Sequence, residues 1–234
     1  MTRVNTILCV ADPGGSQQAT ERLRAAADEH EPDAIAVVGD LSAGGTADGY
    51  RLVLHALAAT GLPAFWVPGR GDAPLGGYVR EAHAAERAHP WLHGVHGTAA
   101  LGPGGHLVFA GMGGEIDDDP GARRQEDEHL AYARVEAEYR LRLLDEFPEH
   151  ESVLLFWSPP AHRGSRDRAS ATVEELIKTH RPRLAVCGGE RRTETLGKRS
   201  LVVAPGSVRE GHFAIADLRR HEARLIDLAV SPSA

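Results

Sequence analysis

The chain has 234 residues, 42% hydrophobic and 25% charged, with a formal net charge of −7. That length and balance fit one globular domain with a substantial core, and the acidic excess argues against a nucleic-acid partner, which calls for a basic face. No stretch approaches the roughly 18 apolar residues of a membrane span.

The opening 15 residues hold too short an apolar run, and no cleavage site, for a secretory leader, so the expected compartment is the cytoplasm. Lys178 and Lys198 are the only lysines, so arginine carries nearly all the positive charge, as GC-rich bacterial codon usage would produce. Cys9 and Cys187 sit singly in apolar runs and read as small buried hydrophobes, not as a disulfide or zinc framework.

In chain order, residues 5–11 form a β-rich apolar run closed by Asp12-Pro13-Gly14-Gly15, where Pro and Gly force a turn. Residues 17–30 have helical spacing, with Ser16 as N-cap. A second buried strand covers 34–40, a helix 48–60, a third strand 63–69 and a helix 76–88. This alternation predicts parallel strands with right-handed crossovers, and ligands gather at the carboxyl ends of such strands. Asp12, Asp40 and Asp72 should therefore line one edge of one sheet.

The middle changes character. Residues 93–116 read as short strands with glycine turns, Asp117–Asp119 as an acidic loop, and 125–147 as the longest helix, with Leu130, Ala133, Ala137, Leu141 and Leu144 in register. Segment 117–147 thus reads as a helical insertion in a single domain spanning 1–234. A strand at 152–157, a helix at 170–180 and a strand at 183–189 follow. The remaining short strands predict antiparallel pairing in a second sheet. The inferred fold is α/β, two sheets packed together and flanked by helices.

Six turn frames stand in order: Asp12-Pro13-Gly14, Gly39-Asp40, Gly69-Arg70-Gly71-Asp72, Trp157-Ser158-Pro159-Pro160, Gly188-Gly189-Glu190-Arg191 and Pro205-Gly206-Ser207. Their order and spacing resemble the calcineurin-like metallophosphoesterase superfamily over residues 5–220. The resemblance implies a four-layer α/β/β/α sandwich with two mixed sheets. It also implies a two-metal site that activates water for attack on phosphorus.

Matched position by position, Asp12 and Asp40 stand where family aspartates bind metal. The other family ligand positions hold Gly14, Arg70, Gly71, Trp157 (or Ser158, if the frame slips by one), Gly189 and Arg191, so two of eight remain. Glycine offers no side-chain donor, and a guanidinium has N–H groups but no lone pair for a metal. The expectation is a degenerate member with an eroded metal site, without a cofactor. It would bind a phosphate-containing small molecule or a protein partner in the old cleft through Arg70, Arg191, Arg192, Ser158 and His162. Arg70 and Arg191 are expected to replace the metal charge by ion pairs to Asp12 and Asp40.

The alternative is an active phosphoesterase with one divalent metal (Mn, Fe, Zn or Ca) on Asp12, Asp40 and recruited groups such as Glu115, Glu190 or His162. A purely structural role is the third reading, and exposed sheet edges suit a homo-oligomer.

Overall fold

The computed structural model describes residues 3–119, 125–161, 169–197 and 199–228; candidate His162 lies outside them. β1 (Thr6–Ala11), β2 (Ala34–Val38), β3 (Ala64–Val67) and β4 (Leu92–Gly94) run parallel in the first sheet. They alternate with α1 (Gln17–His30), α2 (Ala47–Ala59) and α3 (Leu75–Ala88), as the sequence predicts. Ser16 caps α1 by accepting from the Ala19 N–H.

The chain then crosses to a second sheet. β5 (Ala99–Leu101) pairs antiparallel with β6 (Leu107–Met112) at its edge. A small parallel pair, β7 (Glu115–Asp117) with β8 (Ala131–Ala133), precedes α4 (Arg134–Leu141). β9 (Glu151–Phe156), α5 (Ala171–His180) and β10 (Leu184–Cys187) continue the parallel core, followed by β11 (Arg192–Leu196) and β12 (Ser200–Ala204). β13 (His212–Asp217) and β14 (Glu222–Asp227) end the described chain.

Two expectations need correction. The long helix over 125–147 is a strand, a two-turn helix and a short 3-10 segment at Arg142–Glu146. Leu130 to Ala133 extends because it pairs with β7 and the turn before it, where Leu130 accepts from the Glu115 N–H at 2.9 Å. The final hairpin does not join the second sheet. β13 lies antiparallel beside β1, giving the order β14-β13-β1-β2-β3-β4, while the other sheet runs β11-β12-β10-β9-β6-β5. Both sheets are therefore mixed.

Apolar residues form three layers of contact. Ile7, Cys9, Phe65, Phe109, Leu155 and Val186 meet between the sheets. Leu23, Val53, Leu57 and Trp66 pack α1–α3 on the outer face of the first sheet, and Ala137, Leu141, Val173 and Ile177 pack α4 and α5 on the second. The architecture is a four-layer α/β/β/α sandwich. Cys9 and Cys187 are both fully buried, one in each sheet. Among the described residues no helix is long and apolar enough to cross a membrane.

At the sheet interface the rings of Phe65 and Phe109 stack with centroids 3.6 Å apart and planes 3° from parallel. Both are completely buried. Phe109→Ala should therefore destabilise the protein by about 3–5 kcal/mol, since the cavity would sit between two stiff sheets that collapse poorly. Urea unfolding of the variant against the parent measures it.

Candidate functional site

The three aspartate turns do meet at the carboxyl ends of β1, β2 and β3. Asp12 leaves β1 with φ of 50°, a left-handed conformation that aspartate tolerates better than most residues. The turn is laced to its neighbour: Gly14 N–H donates to the Asp40 carbonyl at 2.8 Å, Gly15 N–H to Leu41 at 2.8 Å, and Asp12 Oδ1 accepts from the Asp40 N–H at 3.2 Å. Asp40 Oδ1 in turn accepts from the Gly71 N–H at 2.7 Å. Asp12 and Asp40 thus lie side by side, each accepting from a backbone N–H.

Asp72 holds this edge together. Its buried carboxylate accepts from the backbone N–H groups of Leu41, Ser42 and Gly69, all at 2.8 Å. Burial pushes its carboxyl up to about 8, against those three donors, which favour the charged form.

The arginines do not do what the sequence suggested. Arg70 Nε lies 2.7 Å from Glu115 Oε2, although the N–H direction misses the oxygen, so this is a contact of charges and not a hydrogen bond. Arg191 Nη2 pairs with Asp227 on β14 at 3.1 Å. Arg192 donates to the Pro160 carbonyl and lies 3.4 Å from Glu194. The predicted pairs from Arg70 and Arg191 to Asp12 and Asp40 are absent, because acids outside the aspartate turns lie closer to both guanidinium groups.

Ser158 is fully buried and accepts from the Ile116 N–H at 2.9 Å, which ties β7 to the end of β9. Glu115 is committed to Arg70, and Glu190 is exposed.

A further basic residue, Arg209, borders the Asp12 turn. A Cβ built on Gly14, where the family carries its first histidine, would lie 3.0 Å from Arg209 Cδ and 3.3 Å from its Nη1. Arg209 comes from the short turn after Pro205-Gly206-Ser207, where Ser207 bridges to Ala11 and caps the turn through the Arg209 N–H. The signal was present, since Arg209 follows a frame already singled out by two residues. Trp157 crowds the same edge: a Cβ on Gly39 would lie 2.2 Å from Asp12 Oδ1 and 2.9 Å from Trp157 Cδ1.

As a donor set, these positions do not fit a two-metal centre. Two carboxylates remain, and around them stand glycines, an indole that only donates, and arginines. Among the described residues no group of three or more His, Cys, Asp or Glu side chains is placed to hold a metal ion.

A family model described as metallophosphoesterase, calcineurin superfamily, matches residues 52–228. The chain belongs to that superfamily. The crystal structure of TT1561 of Thermus thermophilus superposes with a TM-score of 0.89 at 36% identity, covering 96% of this chain and 99% of that one. Fold alone is shared with the 5'-nucleotidase of Candida albicans (TM-score 0.61, 12% identity, 97% of this chain and 52% of that one). The same holds for GAP50 of Plasmodium, titled the anchor in the inner membrane complex (TM-score 0.58, 11% identity, 98% and 91%). No curated protein matches the chain.

The acidic loop also has a settled place. Asp118 accepts from the Ser170 hydroxyl and from the Ala171 and Thr172 N–H groups at 2.7–2.9 Å, capping α5. Partial burial raises its carboxyl, but these hydrogen bonds outweigh that and leave it below the usual range. A depressed folded pKa adds stability above the unfolded value, lost as pH falls through the folded one. Asp118→Ala should therefore lose stability at neutral pH and converge with the parent in strong acid, as urea midpoints across the pH range would show.

Asp72→Ala should cost about 3 kcal/mol or more, because it leaves three buried N–H groups without an acceptor. Urea unfolding gives the loss, and amide exchange at Leu41, Ser42 and Gly69 localises it.

Proposed function

We propose that this protein is a metallophosphoesterase-fold binding protein whose dinuclear site has eroded, and that its cleft holds a phosphate-containing ligand without hydrolysing it. The observation that supports this most is Arg209, whose side chain borders the space a first-turn histidine would fill. A guanidinium offers planar paired donors suited to phosphate oxygens. Two carboxylates alone would repel a phosphate. With Arg209 beside them, Asp12 and Asp40 instead suit the hydroxyl groups of the same ligand, accepting hydrogen bonds where the phosphate takes them from the arginine.

The second reading, a phosphoesterase with one divalent metal, draws on the adjacency of Asp12 and Asp40, which leaves two carboxylates side by side. The fold is compatible with either outcome, since its structural neighbours include a nucleotidase and a protein titled an anchor.

Metal content by mass spectrometry, hydrolysis of aryl phosphate mono- and diesters with added manganese, and thermal shift with inorganic phosphate decide between them. The expected result is less than stoichiometric metal, no turnover, and a rise in Tm with phosphate that Arg209→Ala reduces, with about a tenfold weaker Kd. Stoichiometric metal together with hydrolysis abolished by Asp40→Asn would establish the second reading instead.

A further inference from the structure

We propose that the protein carries a second anion site, at the end of the molecule opposite the aspartate turns, and that its ligand is a small molecule with adjacent phosphate groups. A cavity of about 620 Å³ opens there, lined by His150, His180, Arg181, Arg183, Arg199 and His221. All six lie at the amino ends of the parallel strands or the turns beside them. His150 precedes β9, His180 and Arg181 end α5, Arg183 precedes β10, Arg199 precedes β12, and His221 lies in the turn from β13 to β14. β9 is six residues long, so the cavity and the cleft are about 20 Å apart.

Donors outnumber acceptors in this lining. Glu151 is its one acid and pairs with Arg183 Nη1 at 3.1 Å, while Arg183 also donates to the Leu218 carbonyl. With every imidazole neutral, three arginines against one glutamate leave an excess of two positive charges, in a chain whose net charge is −7. Asp145, close enough to act on His180, is the further acid at hand.

Arg181 and Arg199 are exposed and form no ion pair among the described residues. None of the three imidazoles makes a hydrogen bond there, and His150 Nδ1 and His221 Nε2 are buried without any partner. Basic side chains from separate segments thus converge on one cavity that a single acid lines.

A structural role explains part of this set. The carboxyl end of α5 is the negative end of its dipole, and basic groups there are favourable. That accounts for His180 and Arg181. It does not account for Arg199, His150 and His221, which three other segments bring to the same cavity.

The size and charge select the ligand. The volume lies within the range of small-molecule sites, roughly 300–1,000 Å³. Guanidinium groups from separate elements suit several phosphate groups better than one. A cavity of these bounds favours a small molecule over the extended backbone of a nucleic acid.

Calorimetry on the intact protein at low salt tests the proposal, with inorganic tripolyphosphate, ATP and a single-stranded oligonucleotide as probes. The variants are the double Arg181→Gln/Arg199→Gln, the matching double lysine variant, and Arg209→Ala in the cleft. The expected result is a tripolyphosphate site that persists in the Arg209→Ala protein, that the glutamine pair weakens at least tenfold and that the lysine pair partly restores. Thermal melts confirm that the exposed substitutions leave the protein folded.

ATP binding tenfold tighter than tripolyphosphate would identify a nucleoside polyphosphate; equal affinity would identify the polyphosphate group itself. No binding by the parent, affinity unchanged in the glutamine pair, loss only in Arg209→Ala, or tighter binding of the oligonucleotide would each overturn the proposal.

Discussion

One buried carboxylate organises the cleft edge. Asp72 gathers N–H groups from the exits of both β2 and β3, and through them fixes how the Asp40 turn sits against the Gly69–Asp72 turn. Asp40 then accepts from Gly71, and Asp12 from Asp40. Each link uses a side-chain oxygen and a backbone N–H, so the geometry does not require a metal to bring the turns together. The cleft edge therefore keeps its shape through hydrogen bonds of the chain itself.

The arginines around this edge serve different ends. Arg70 with Glu115 and Arg191 with Asp227 are partly exposed pairs, and such pairs contribute roughly 0–1 kcal/mol. Their effect is mainly to neutralise charge and to orient the loops that carry them. Arg209 is different because it is placed by a turn bridged to β1 and stands against Gly14, which has no side chain of its own to fill that space.

Much of the fold was legible because apolar runs closed by Pro-Gly or Gly-Asp turns leave few topologies open. The cleft aspartates followed from the same turns. The segment 125–147 shows the limit of periodicity. Leu130, Ala133, Ala137, Leu141 and Leu144 are all buried, as their spacing implied, yet only Ala137 and Leu141 lie in the α-helix. Spacing reported which side chains face inward and not which backbone conformation carries them. The final hairpin was misplaced for a related reason. Alternation in β13 identifies a strand but not its neighbour, and β1 was the open edge available to it. The ion pairs of Arg70 and Arg191 were illegible because their partners, Glu115 and Asp227, are distant in sequence.

The burial of Cys9 and Cys187 has a practical side. Each thiol lies at zero exposure in its own sheet, and desolvation pushes Cys9 up to about 12 and Cys187 higher still. Thiolate is the reactive form, so neither sulfur will take up alkylating reagents or peroxide while the sandwich stays closed. The native protein is therefore a blank background for thiol-directed labelling, and a single cysteine introduced at the surface would carry a probe to one chosen position.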